Sequence, residues 1–343
     1  MIRPFSCLLA GLAMSVLAGP VAADPVADFY KGKTVTCYIG YDAGGGYDFF
    51  ARAISTYMSR YIPGNPKVIP INMPGASTMV LANFLAKLAP RDGTAFGAVN
   101  SSLIFDPILS GAQSKAQFKG PDMTMIGNAA SAAAVLLSSK ASGVKTFEDL
   151  YHKELIIGAM TTTGDTYVLP MAVKKILHLD NLKIITGYPG SREALIALER
   201  GEIMGRVWDM EAMRAVRPDW VTDGSVNFLV QLAPHAMPEV PAGVPLAKDF
   251  VRDEDDKKVL DVIFLSTLLA KPFIAPPDMP ADRVEALRNA FMATLKDPDL
   301  LADMEKAQIT LAPMSGADFQ QIVQDTYALP DNVIRRVQEV LAN

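Results

Sequence analysis

The chain has 343 residues, 32 Lys and Arg against 37 Asp and Glu, and a formal net charge of −5. Half of it is hydrophobic, which is material for more than one buried core, and a chain this long is better organised as two domains than one. The mild acidity, without a basic stripe or a long acidic tail, argues against nucleic acid as a partner and leaves a small molecule as the expected ligand.

At the start, Arg3, an apolar stretch from Leu8 to Leu17 and the small residues Val21-Ala22-Ala23 before Asp24 read as a secretory signal peptide over residues 1–23. No later stretch approaches the roughly 18 apolar residues of a membrane-spanning helix, so the mature protein is expected to be exported and soluble. Of the two cysteines, Cys7 would leave with the signal; its neighbours Phe5-Ser6 do not suit a lipoprotein site. Cys37 then has no partner for an internal disulfide.

The spacing next predicts a strand over 34–39, a glycine turn, a helix over 48–60, a strand over 68–72, a turn over 73–77, a helix over 78–88 and a strand over 94–99. This βαβαβ pattern implies a parallel sheet covered by helices. The turn Ala43-Gly44-Gly45-Gly46-Tyr47-Asp48 is its most informative part. Its glycines allow positive φ and close approach of a ligand to the main chain, and the following helix points unpaired N–H groups at that ligand. Phe50, Ile54, Tyr57, Met58 and Tyr61 commit one helix face to a core, so function belongs to the turn. A tight connection that binds nothing is the alternative. A dinucleotide site fits poorly, because the spacing is not G-x-G-x-x-G and no acid ends the second strand at Asn72.

The same grammar returns with a strand over 155–159, a turn over 160–166, a helix over 167–177, a strand over 183–188, a turn over 189–191, a helix over 192–200 and a strand over 205–208. Two α/β lobes follow, and ligands of such sheets bind outside the carboxyl ends of the strands, here between facing loops. Thr161, Thr162, Thr163 and Thr166 of the second turn are either solvated turn residues or hydroxyl donors to a ligand. After Pro276-Pro277, helices are expected over 281–295, 298–308 and 332–341. The chain is expected to cross between lobes near Gly127 and to return near Leu269 to Phe273. That gives a first lobe of 24–126 plus 272–343 and a second of 127–271.

Several stretches together resemble one family, the extracytoplasmic solute receptors of tripartite tricarboxylate transporters, or Bug-type receptors. They are FYKGKTVTCYIGYDAGGGYD (29–48), NMPGAS (72–77), APRDGTAFG (89–97), GYPGSREALIALERGEI (187–203), PEVP (238–241) and APPDMPADRVEALRNAFMATLKDPDL (275–300). The resemblance implies a periplasmic-binding-protein type of fold, two α/β lobes with a ligand cleft between them, and a small organic carboxylate as ligand. It also implies a periplasmic, monomeric protein without cofactor or bound metal, working with two membrane permease subunits. By position, it places the carboxylate at Ala43, Gly44, Gly45, Gly46, Tyr47 and Asp48 and at Thr161 to Thr166, with Ser77 and Ser101 added to the lining. Two departures matter: Gly46-Tyr47 stands where many relatives carry Ser or Thr after the second glycine, and Arg192 stands where small uncharged residues are common.

Asp48 is read first as a helix cap, since an acid would repel a bound carboxylate. Ser191 and Arg192 open a helix; Arg192 opposes the helix dipole there, and is either a solvated surface residue or a partner for a second ligand carboxylate. Trp208 and Asp209 end a strand on the expected cleft side, the tryptophan being either core or a platform for an aromatic ligand. Enzyme signals are missing: His152, His178 and His235 are scattered on the expected surface, Cys37 sits in an apolar strand, and no G-x-S-x-G elbow occurs. The competing reading is a ligand-binding input protein for a membrane sensor kinase.

Overall fold

The computed structural model describes residues 24–44, 46–162, 164–307 and 309–342; the expected signal peptide, Gly45 and Thr163 lie outside them. The strands are β1 (Thr34–Ile39), β2 (Lys67–Asn72), β3 (Ala95–Ala98), β4 (Thr124–Asn128), β5 (Ala134–Ser139), β6 (Leu155–Gly158), β7 (Leu182–Ile185), β8 (Gly205–Asp209), β9 (Val226–Gln231), β10 (Pro272–Ala275) and β11 (Met314–Ser315). They form one sheet in the order β11-β4-β10-β3-β1-β2 and another in the order β7-β6-β8-β5-β9.

Each sheet holds the expected parallel part, β2-β1-β3 in the first and β7-β6-β8 in the second. Each also holds antiparallel strands: β10 against β3 and β4, and β5 against β8 and β9. Successive side chains of a strand point to opposite faces, and both faces are filled. On β5, Ala134 and Leu136 enter a core with Leu155, Ile157 and Val173, whereas Val135 and Leu137 enter one with Leu195, Leu198 and Trp208. In the first sheet, Val35, Cys37 and Ile39 pack with Ile54, Met58 and Phe291, while Leu81, Leu85 and Phe319 cover the other face.

The helix Gly46–Met58 buries Phe50, Ile54 and Met58 as its spacing requires. The hydroxyls of Tyr57 and Tyr61 donate to Asp303 and Asp297 of the helix Pro298–Lys306 and its cap. Cys37 is fully buried, and burial pushes its thiol up to about 12 against a hydrogen bond from Ser55. His152, His178 and His235 are all exposed.

Two differences from expectation have physical causes. The strand expected over 183–188 stops at Ile185, because the chain turns at Gly187 and the Gly187 N–H donates to Met160 O of the neighbouring turn. The final helix, Asp331–Leu341, expected with the first lobe, packs Val333, Val337 and Val340 into the second sheet's core beside Val259, Ile263 and Val173.

The chain passes between the sheets along two segments that pair with each other. Ala129 N–H donates to Lys271 O (3.0 Å), Ala270 N–H to Ala130 O (3.1 Å) and Ala132 N–H to Thr267 O (2.7 Å). Asn128, fully buried, clasps them: its Oδ1 accepts from Lys271 N–H (2.9 Å), and its Nδ2 donates to Ala130 O (2.8 Å) and Leu268 O (3.2 Å). Among the described residues no helix is long and apolar enough to cross a membrane.

Candidate functional site

The glycine turn leaves β1 at Gly40, where a Cβ would lie 2.6 Å from the Thr78 side chain, so the turn is pressed onto the neighbouring loop. That loop is strained: Ala76, Ser77 and Thr78 have φ of 45°, 50° and 73° in succession, a left-handed turn that costs non-glycine residues roughly 1 kcal/mol or more each. Ser77 is exposed at its tip. Thr78 is buried, and its Oγ1 accepts from Asn100 N–H (2.9 Å), which holds the segment before Ser101 against it.

Ala43 and Gly44 are exposed, and Gly44 takes φ +91°, open to glycine without strain. Its N–H donates to Asp48 Oδ2 (2.8 Å). Asp48 is 4% exposed and also accepts from Arg52 Nε (2.9 Å) and Asn72 Nδ2 (2.8 Å). Burial works to raise its pKa, but the hydrogen bonds from Arg52, Gly44 and Asn72 outweigh it and hold the carboxyl at about 2. Asp48 is thus the internal clamp of the turn, its charge answered by Arg52. The Gly44 N–H is already taken, which leaves the N–H groups at the start of the helix Gly46–Met58 for a ligand.

Tyr47 extends from the turn to the crossing segments, where its hydroxyl donates to Ala270 O (2.7 Å). Its ring stacks on Tyr41 (centroids 4.0 Å apart, planes at 18°), and Lys271 Nζ lies 4.1 Å from its centroid. Burial depresses the Lys271 ammonium pKa, opposed by the nearby carboxylates of Asp209 and Glu211. Asp209 caps the helix Met210–Val216 by accepting from Ala212 N–H (3.0 Å). Glu211 accepts from Thr310 N–H (2.8 Å), a contact from the second sheet's elements to the first's. Asp209, Glu211 and Glu239 share a small enclosure with Ser131 and Thr310.

From the second sheet, the turn after β6 carries Thr161 and Thr162, both exposed, and Thr166, whose Oγ1 accepts from Met160 N–H (3.4 Å). Asp165 opens the helix Asp165–Leu177 and accepts from Ser266 Oγ (3.2 Å). Desolvation by the surrounding protein raises its carboxyl pKa, against that hydrogen bond. The start of the helix Ser191–Glu199 lies beside the same turn, joined through Gly187 and Met160. Ser191 and Arg192 are exposed.

The structure therefore brings Tyr47, Asp209 and the crossing segments together, and Ser266 of those segments meets Asp165 at the end of the threonine turn. It does not offer Trp208 as a platform: that residue is 6% exposed, set edge-on to Trp220 with the Arg206 guanidinium over its ring at 3.9 Å, and serves the core. Sequence reasoning missed Tyr41, Arg206 and Lys271, while Asp165 lies inside the Thr161 to Thr166 turn that it did single out. For the two cations a signal existed, since each interrupts an otherwise apolar strand or strand start, GRVWD and LLAKPFIA. Among the described residues no group of three or more His, Cys, Asp or Glu is placed to hold a metal ion.

No protein-family model matches the sequence, and no curated protein matches it either. Solved structures do. The chain is similar to a TctC solute binding protein from Polaromonas with no ligand, at 16% identity and a TM-score of 0.68, over 90% of this chain and 99% of that one. It is similar to MatC from Rhodopseudomonas palustris with bound malate, at 19% identity and a TM-score of 0.55, over 90% and 99%. It is also similar to an R. palustris protein with adipate, at 18% identity and a TM-score of 0.56, over 90% and 96%. At these identities the likeness establishes the fold: this chain has the two-lobed α/β fold of the TctC- and Bug-type periplasmic solute-binding proteins.

Proposed function

We propose that this protein is a periplasmic receptor that captures a small organic carboxylate between its two lobes and delivers it to the membrane permease subunits of a tripartite tricarboxylate-type transporter. The observation that carries this reading is the repeated placement of helix starts. The helices Gly46–Met58, Asp165–Leu177 and Ser191–Glu199 each begin directly beyond the carboxyl end of a parallel strand, and two hydrogen-bonded crossing segments hold the sheets that carry them. Helix starts supply unpaired N–H groups and positive dipole ends, which suit a carboxylate. Charge-assisted hydrogen bonds contribute roughly 1.5 to 3 kcal/mol each, so three or four reach micromolar affinity, about −8 kcal/mol, after ordering costs.

Binding rather than catalysis is the role this arrangement suits. The acid of the glycine turn is clamped by Arg52, and the thiol is sealed in a strand, so neither is poised as base or nucleophile. Crossing segments joined by a few hydrogen bonds are a hinge of low cost, and closing them removes a ligand from water. The similarity to structures holding malate and adipate agrees with a carboxylate ligand.

The test is a thermal-shift screen of the mature chain, Asp24 onward, against mono-, di- and tricarboxylates and aromatic acids. A ligand that binds the native state alone raises the melting temperature by mass action. A large rise with one chemical class is expected; a well-folded protein with no rise across the panel refutes the carboxylate reading.

A further inference from the structure

Tyr47 is the second residue of the helix Gly46–Met58, inside the glycine turn, yet its side chain reaches a residue 223 positions further along the chain. Its hydroxyl donates to Ala270 O (2.7 Å), so the phenol proton is held by main chain and is not offered to the cleft. Ala270 O also accepts from Lys271 Nζ (3.3 Å), and the Ala270 N–H donates to Ala130 O (3.1 Å). Tyr47 therefore grips a residue through which the two crossing segments pair.

Two further contacts fix the same side chain. Its ring is stacked on Tyr41, with centroids 4.0 Å apart, and the Lys271 ammonium lies 4.1 Å from its centroid. Burial pushes the phenol pKa well up, so the hydroxyl keeps its proton and stays a donor at neutral pH. A turn with three successive glycines has the most backbone freedom of any segment of its length, and ordering it when a ligand arrives lowers affinity. Asp48 braces this turn from within, through the Gly44 N–H. Tyr47 braces it from outside, against the crossing.

We propose that Tyr47 is a positioning residue that ties the glycine turn to the paired crossing segments, so that the helix start is ordered before a ligand arrives and the turn moves with the hinge. This rests on the receptor reading above and deepens it, by naming the side chain that links the site to closure. The side chain acts through Ala270 and the main chain of the turn, not by touching the ligand.

The experiment compares the mature protein with Tyr47→Phe, which keeps the ring, its stack and its cation and removes the hydroxyl alone. Without ligand, hydrogen exchange is expected to quicken about fivefold at both ends of the link, at Phe50 and Ala51 in the first hydrogen-bonded turn of the helix and at Ala270 in the crossing, as the loss of one neutral hydrogen bond implies. Isothermal titration with malate, adipate and benzoate is expected to give a Kd about fivefold higher in the variant for every acid that the parent binds, because an ordered turn serves all ligands alike. The third readout, taken at saturating acid, is one that a merely structural hydroxyl would not move: the ligand slows exchange at Ala270 in the parent and slows it less in Tyr47→Phe. Parental exchange at either end, an unchanged affinity, or equal protection of Ala270 by ligand in both proteins overturns the link and leaves the receptor reading standing. If none of the three acids binds the parent, that result counts against the receptor reading, and exchange at the two ends alone upholds or overturns the link.

Discussion

Asn128→Ala tests whether the two crossing segments are held as the geometry implies. The side chain is fully buried, accepts one hydrogen bond from Lys271 N–H and donates two, to Ala130 O and Leu268 O. Ala130 O keeps a second donor, the Ala270 N–H, so the loss there is partial. Lys271 N–H loses the Asn128 acceptor beside a buried strand start. Three bonds at about 1 kcal/mol each give a loss of about 3 kcal/mol, with the bare N–H pushing it upward. At about 2 °C per kcal/mol for a chain of this size, the melting temperature should fall by about 6 °C in differential scanning calorimetry. Asn128→Asp keeps the acceptor but turns a carboxylate oxygen toward two carbonyls, and should cost at least as much. A variant Asn128→Ala that melts with the parent would refute the clasp and leave the crossings held by their main-chain pairing alone.

Three further outcomes follow from single residues. Asp48 is held at about 2 when folded, below its ordinary 3.8, so its contribution is fully present above about pH 4 and is lost as pH falls toward 2; Asp48→Asn should flatten that part of a stability-versus-pH curve, and an unchanged acid limb would refute the clamp. Ser77→Gly removes a left-handed strain at an exposed residue and should raise stability by about 1 kcal/mol in urea denaturation; a loss would mean that the left-handed turn is not strained. Cys37, with its thiol pushed up to about 12, should resist a thiol reagent at pH 8 in the native mature protein and react once urea unfolds it; ready reaction in buffer would contradict its burial.

The strand-turn-helix units were legible because two periods and a punctuation mark define each one: alternation or an apolar run for the strand, a 3.6-residue stripe such as Phe50, Ile54 and Met58 for the helix, and glycine between. The antiparallel strands were harder. β5 reads AVLLSS, with Ala134, Val135, Leu136 and Leu137 all buried, and such a run has no period to reveal its partners. The site divided in the same way. The glycine turn announced itself through three successive glycines, and Asp48 as its cap through helix electrostatics. Lys271 and Asp165 matter through neighbours more than a hundred residues away in sequence, Tyr47 on Lys271 and Ser266 on Asp165, and no local pattern carries those pairings.

The last helix constrains how the lobes move. After the helix Gly316–Tyr327, which packs Phe319 and Val323 on the first sheet, the chain passes over Ala328 to Pro330 and buries the helix Asp331–Leu341 in the second sheet's core. This is a third connection between the sheets, and it is not free at its far end. Lys175 Nζ donates to Val340 O (3.0 Å), Arg336 pairs with Asp256 (3.0 Å), and Gln338 Nε2 reaches back to Ile108 O (2.7 Å), which belongs to the first sheet's side. Leu109, next to that carbonyl, packs against both cores. Apolar contact tolerates small sliding and not separation, because a gap of even half an ångström forfeits much of the dispersion energy. A rotation that closes the turns of Tyr47 and Asp165 on a ligand must therefore keep the Leu109–Gln338 contact nearly fixed. If the lobes close on a ligand as proposed, the hinge axis runs through the paired Ala129–Lys271 crossing and past Leu109, and closure is a single rotation about that line rather than a free reorientation of two tethered lobes.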